Sequence, residues 1–157
     1  MVPRPNICGI GLYECKDDKN LGAVLRAAHA FNASFVAFSG KLEIPSHCVL
    51  KTDTSRAVKQ IPTFKTDDLL IHQPLGASLV CVELTDHATS LIPFNHPQQA
   101  YYIFGPENGS IPDSIIKKSN LVIKIPTVIC LNLAAAVNVV LYDRLAKASR
   151  RRLVCPC

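Results

Sequence analysis

Residues Tyr101–Arg144 read YYIFGPENGSIPDSIIKKSNLVIKIPTVICLNLAAAVNVVLYDR, and their pattern decides the fold. Tyr101–Phe104 is a short aromatic and apolar run bounded by Gly105-Pro106, which predicts a strand. Gly105 either takes a positive φ or lets a ligand reach the backbone, and Pro106 fixes the turn. Leu121–Ile125 predicts a second strand, stopped by Pro126. Leu131–Lys147 follows with apolar residues at 133, 136, 137, 140, 141 and 145, a helical period. Two strand ends and a helix start that converge can cradle a ligand through backbone groups, as at the carboxyl ends of strands in open α/β sheets.

Upstream, Asn6–Glu14 predicts a buried first strand. Its Gly9-Ile10-Gly11 is no dinucleotide fingerprint, because no third glycine follows and the strand continues. A polar loop, Cys15–Asn20, offers Asp17, Asp18 or Asn20 as caps for a helix over Leu21–Phe31. That helix buries Leu21, Val24, Leu25 and Ala28 and sets Arg26 on the opposite face, one turn after Gly22. The guanidinium is expected to lean back across the space Gly22 leaves, near the free N–H groups of the helix start, a combination suited to phosphate. The bland alternative is a solvated surface arginine. Ser34–Ser39 predicts a strand, Thr52–Gln60 a short helix capped by Asp53 or Thr54, Ile61–Thr66 a weak strand and Asp67–His72 a short helix. Leu79–Leu84 predicts a buried strand, and Ser90–Gln99 an irregular connection. Strands alternating with helices indicate an α/β fold, a mostly parallel sheet with helices on both faces. No repeat or linker suggests a second domain, so residues 1–157 are expected to form one domain with a flexible tail from about 150.

Composition narrows the class. The charged fraction is only 18% while 48% is hydrophobic, which argues for a folded core rather than disorder. A net charge of +5 permits a polyanionic partner. Met1-Val2-Pro3-Arg4-Pro5 leads into a short strand, so no signal peptide is expected. The most apolar run is interrupted by Asn132 and Asn138 and falls short of the ~20 residues a membrane span needs. Seven scattered cysteines suggest reduced thiols and a cytoplasmic protein. Cys155-Pro156-Cys157 reads as the end of a frayed tail rather than a metal or redox site, because no histidine or second pair sits near it. No metal-ligand cluster is visible.

Three blocks carry a resemblance. Asn20-Leu21-Gly22-Ala23-Val24-Leu25-Arg26 fits N-x-G-x-x-x-R, Phe104-Gly105-Pro106-Glu107 a second motif, and Leu131-Asn132-Leu133-Ala134 a third. In this order and spacing the chain resembles the SpoU-type (TrmH-like) RNA ribose 2′-O-methyltransferases of the SPOUT superfamily. The resemblance implies a C-terminal trefoil knot, which chains almost never form, S-adenosylmethionine bound within it, and a homodimer with RNA across both subunits. It assigns cofactor contacts to the backbone around Leu84, Gly105, Ile125, Cys130 and Leu131. It assigns catalysis to Asn20 and Arg26, with Glu107 and Asn132 ordering the site. The plain structural readings are a helix N-cap for Asn132, a turn glycine for Gly105 and a solvated loop carboxylate for Glu107.

The implied reaction is an in-line displacement on the cofactor methyl by a ribose hydroxyl. Arginine stays protonated in proteins, so Arg26 is expected to position the ribose–phosphate and stabilise charge developing on O2′ rather than act as a base. The chain departs from the family in three places. Glu107 is followed by Asn108-Gly109-Ser110-Ile111 where E-x-x-G-L is usual, Cys130 stands where serine is common, and the Pro126–Cys130 loop is short. Candidate RNA contacts are Lys51, Arg56 and Lys59 and the C-terminal Arg144, Lys147, Arg150, Arg151 and Arg152. Transfer RNA is the favoured substrate. The alternatives are a ribosomal RNA enzyme and a non-catalytic RNA-binding protein that keeps the fold. The last helix is apolar on more than one side, which fits a dimer interface.

Overall fold

Every residue of β1 (Cys8–Leu12) and of β6 (Ala100–Phe104) is buried. Strands buried on both sides belong in the middle of a parallel sheet, and these two pair in parallel from Cys8 opposite Ala100 to Leu12 opposite Phe104. The computed structural model describes residues 6–44 and 50–154, without the side chains of 151–154. Around the central pair lie β2 (Phe35–Phe38), β3 (Thr63–Lys65), β4 (Ser78–Val82), β5 (Thr89–Ser90) and β7 (Leu121–Lys124). The order is β3-β2-β1-β6-β4-β7-β5, and every pairing is parallel.

Alternation along each strand sends side chains to two unequal faces. Ile10, Leu12, Val36, Phe38, Val80, Tyr102 and Phe104 face the larger core. Two long helices cover it, α1 (Asp18–Ala30) and α3 (Leu133–Val154), which also pack on each other. Leu79, Cys81, Tyr101 and Ile103 face the smaller cluster, covered by Leu69 of a 3-10 turn (Leu69–His72), by Ile111 and by Ile115 of the short α2 (Asp113–Ile116). The expected parallel α/β sheet with helices on both faces is therefore present.

Local differences have local causes. Asp17 caps α1 by accepting from the Lys19 amide at 2.8 Å, so the helix starts three residues before the apolar stripe. The helix predicted over 52–60 is only a 3-10 turn, Ala57–Lys59. Asp53 accepts from both the Ala57 and Val58 amides at 2.7 and 2.9 Å, and Arg56 at the turn's start is left-handed with φ 54°. Such a residue interrupts an α-helix. β5 and α2 went unpredicted, being two and four residues long. In contrast, α3 runs to Val154, so residues 150–154 continue a helix rather than a tail. Cys155 and Cys157 lie outside the described residues.

One side chain ties both ends of the fold. Arg144 of α3 is buried and donates to Pro97 O, Gln98 O, Asn6 Oδ1 and Tyr102 Oη at 2.6, 2.7, 2.8 and 3.1 Å. Tyr102 also meets His96 Nδ1 at 2.7 Å, and His96 Nε2 meets Asp143 at 2.8 Å. With Arg144 donating to Tyr102, the hydroxyl proton points to Nδ1 and the ring carries its own proton on Nε2. Lys147 donates to Asp143 at 2.7 Å and to Leu91 O at 2.6 Å. Arg144 and Lys147 are therefore spent on structure, which corrects the expectation that they contact RNA. Of the other C-terminal candidates, Arg150 is exposed, while the side chains of Arg151 and Arg152 lie outside the described residues.

Candidate functional site

Three polar side chains from distant parts of the chain meet where β6 ends and where α1 and α3 begin. Asn132 Oδ1 caps α3, accepting from the Ala134 amide at 2.9 Å, which leaves its NH2 free to point away. That NH2 donates to Asn20 Oδ1 at 2.9 Å. Asn20 in turn donates to Glu107 Oε1 at 3.0 Å. The chain has one sense, because Glu107 can only accept when ionised and the cap fixes which end of Asn132 faces outward. The N-cap role and the site role of Asn132 thus coexist in one amide.

Glu107 is not the solvated loop carboxylate of the plain reading. Its Oε2 is buried and has no hydrogen-bond partner among the described residues. An acceptor left unpaired out of water is costly unless something else donates to it. Glu107 stands between two depressions. One is a cleft of about 480 Å³ at the carboxyl ends of β4, β6 and β7. The other is an open groove lined by Lys16, Asp17, Asp18 and Leu42. Beneath lies Cys15, whose thiol is pushed up to about 12 by burial first and by the Glu107 charge second.

The cleft gathers every predicted backbone position: Leu84, Gly105, Ile125, Cys130 and Leu131 all line it, with Glu107 and Asn132. Gly105 is not at positive φ; the loop's left-handed turn falls on Gly109, φ 128°. A Cβ on Gly105 would meet only ordinary contacts, the nearest being Glu83 Oε2 at 3.4 Å. Neither a positive φ nor packing requires the glycine, and its backbone lines the cleft. The walls are mixed, with Val82, Leu84, Ile125 and Leu133 apolar and Glu83, Glu107 and Lys124 charged. Clefts of this size and character hold cofactor-sized molecules.

Sequence reading missed Glu83. Its Oε2 accepts from the Ile111 amide at 2.8 Å and its Oε1 from the Leu84 amide at 3.0 Å. The carboxylate therefore latches the loop 105–111 to the end of β4 and fixes one wall of the cleft. The available signal was a lone charge closing the apolar run LVCVE.

Arg26 is placed differently from the expectation. It is exposed on α1, outside the residues lining the cleft, and makes no hydrogen bond or ion pair among the described residues. The space it was to lean across is occupied: a Cβ on Gly22 would fall on Thr52 Oγ1 and lie 3.1 Å from Leu50 Cβ. Thr52 fills the gap because its hydroxyl donates to Lys19 O at 2.6 Å.

Residues 8–142 match the sequence profile of the SpoU rRNA Methylase family, a span holding all three motif blocks and most of the chain. The chain belongs to the SpoU methylase family. No curated protein sequence matches it significantly. Among solved structures, an AdoMet-bound rRNA methyltransferase from Sinorhizobium meliloti superposes with TM-score 0.79 at 21% identity, over 94% of this chain and 59% of that one. The A. aeolicus TrmH/SpoU tRNA modifying enzyme gives TM-score 0.79 at 17% identity, over 94% and 78%. A structure concerned with 2-OH methylation of C/U34 on tRNA gives 0.78 at 23% identity, over 94% and 99%. The SpoU chain thus spans about three fifths of the first and nearly all of the third. At these identities the likeness establishes the shared fold.

Proposed function

We propose that this SpoU-family chain is an S-adenosylmethionine-dependent RNA methyltransferase acting on a ribose 2′-hydroxyl, in transfer RNA rather than ribosomal RNA. The observation that carries the reading is the Asn132–Asn20–Glu107 hydrogen-bond chain, which joins all three motif blocks at the cleft. The match over 99% of a structure concerned with tRNA supports the choice of substrate. Cys8, Cys15, Cys81 and Cys130, unpaired among the described residues, support a cytoplasmic location. The resemblance also supports a trefoil knot in the C-terminal part.

The cleft's residues fit the cofactor. Among the described residues Glu107 Oε2 is an acceptor without a donor, suited to a ligand rich in hydroxyl and ammonium groups. Val82, Leu84, Ile125 and Leu133 offer apolar surface for a purine, and Gly105 lets it approach the main chain. When bound, S-adenosylmethionine supplies a methyl group on a sulfonium. The chain's own contribution is alignment, worth several powers of ten when reacting atoms are held in line. Asn132 and Asn20 hold Glu107 in one rotamer at the cleft mouth. The exposed guanidinium of Arg26 holds a ribose–phosphate and stabilises negative charge growing on O2′.

Because Arg26 lies outside the cleft of its own chain, the reading includes a homodimer in which a second copy brings its Arg26 to the site. The uncovered face of α3 supports this, with Val139, Tyr142 and Leu145 exposed by 38%, 64% and 51%. Calorimetry with S-adenosylmethionine, then mass mapping of 2′-O-methyl nucleosides in tRNA incubated with the protein, tests the proposal. Cofactor binding with one new 2′-O-methyl site is expected. Binding of RNA without any affinity for the cofactor would overturn it in favour of a non-catalytic RNA-binding protein.

A further inference from the structure

Residues 50–61 form a ledge locked onto the first helix. Thr52 bonds to Lys19 O over the bare Gly22, and Leu50, Ala57 and Ile61 join the same core as Leu21 and Leu25. Inside the ledge Asp53 is fully buried and accepts from the Ala57 and Val58 amides and from Ser55 Oγ at 3.1 Å. It is the only acid between residues 50 and 61, so the segment's negative charge is turned wholly inward. Lys51, Arg56 and Lys59 are exposed, and none forms an ion pair among the described residues. Arg56 is held there in a left-handed conformation, φ 54°, which an arginine adopts only where its surroundings impose it.

The ledge does not stand alone. At 100° per residue, Lys19, Gly22, Arg26 and His29 share one arc of α1, and the ledge docks on that arc at Gly22. Arg26 lies one turn further on, beside the ledge. At the other end of the fold Arg144 and Lys147 are not free for RNA, because they are consumed by carbonyls, by Asp143 and by Tyr102.

We propose that residues 50–60 are an RNA-backbone-binding ledge, in which Lys51, Arg56 and Lys59 hold phosphates beside the one at Arg26. This rests on the RNA-methyltransferase reading. Unpaired cations on a fixed frame suit phosphate, since they need no acid pulled away and release counterions on contact. Such contacts position the nucleic acid without reading its sequence.

The test compares two double variants of equal charge in the full-length protein. Lys51→Gln with Lys59→Gln alters the ledge; Lys117→Gln with Lys118→Gln alters an exposed basic pair after α2, beside the smaller cluster. Arg56→Asn, a residue that tolerates the left-handed region, is a third variant. Affinity for unfractionated tRNA is measured across a salt series, and S-adenosylmethionine binding by calorimetry. The ledge pair is expected to lower the slope of log affinity against log salt by about 1.4 to 1.8, the Lys117/Lys118 pair by almost nothing. Arg56→Asn should remove about half as much as the ledge pair. Cofactor binding should be unchanged in all. Equal slopes for the two pairs would overturn the ledge while leaving the enzymatic reading intact. A wild-type protein with no tRNA affinity and no cofactor affinity would overturn both.

Discussion

Asn132 offers a way to separate stability from alignment at a single residue. Changed to alanine, it loses the α3 cap, worth about 1 kcal/mol, and the bond to Asn20, worth about 0.5 to 1 kcal/mol at an exposed site. For a chain of this size that sum, about 1.5 to 2 kcal/mol, lowers the melting temperature by about 3 to 8 °C. Changed to aspartate, it keeps the cap and gains a favourable charge at a helix N-terminus, about 0.3 to 1 kcal/mol. What aspartate cannot do is donate. Its carboxylate faces Asn20 Oδ1, and if Asn20 turns its amide over to satisfy it, Glu107 loses its donor instead. Asn132→Asp should therefore melt within about 2 °C of wild type yet transfer methyl groups about 100-fold more slowly, the cost of misplacing reacting groups by an ångström or so. Thermal denaturation and single-turnover transfer of labelled methyl to tRNA read the two quantities. An Asn132→Asp protein with full activity would show that the amide chain does not order the site. One as unstable as Asn132→Ala would show that the cap is misassigned.

Other perturbations follow from the same geometry. Glu83→Gln keeps an acceptor for only one of the Ile111 and Leu84 amides, so the loop 105–111 loosens. Cofactor affinity measured by calorimetry should fall about tenfold, the equivalent of one lost bond, and unchanged affinity would remove Glu83 from the cleft wall. Cys130 is exposed on the cleft rim, whereas burial pushes Cys15 and Cys81 up to about 12 and about 11. Of these three, Cys130 alone should react with a thiol reagent at pH 8 in the folded protein, and S-adenosylmethionine should protect it. His96 is lowered below the ordinary histidine range, by burial first and against the pull of Asp143. The unfolded chain therefore takes up this proton first, and stability falls as pH drops below about 6.5. Denaturant titrations of His96→Gln should show a weaker baseline stability but a flatter dependence between pH 7 and 5. An unaltered pH slope would mean that His96 is not the group concerned.

Why some of this was legible in sequence and some not has physical reasons. The strands around Ile10, Leu79 and Tyr102 are continuous apolar runs between breakers, a signal that depends on burial alone. The motif asparagines and glutamate sit at strand and helix ends, where polar residues in an apolar context stand out. The surroundings of Arg26 are not legible from helical period, because the segment docked on Gly22 is a contact across thirty residues that no local period encodes. Thr52–Gln60 is hard to read in the same way, since Asp53 spends its oxygens on a turn rather than on capping an α-helix. Arg144 and Lys147 resemble a basic tail in sequence. Only the fold reveals that the carbonyls of 91, 97 and 98 lie within their reach. Glu83 had a weak local signal, and its partner Ile111 is 28 residues away.

The Arg144 clasp also bears on how the polypeptide is born. Its partners include Asn6, 138 positions earlier, and β1 pairs with β6 across about ninety residues. The pairing cannot form before β6, nor the clasp before α3, so β1 waits with one sheet edge open. Loop-closure entropy makes such distant pairings slow, and unpaired strands are the ones that associate with neighbours. In this fold the sheet is sealed late, when the guanidinium of α3 gathers in the residue that leads into the first strand.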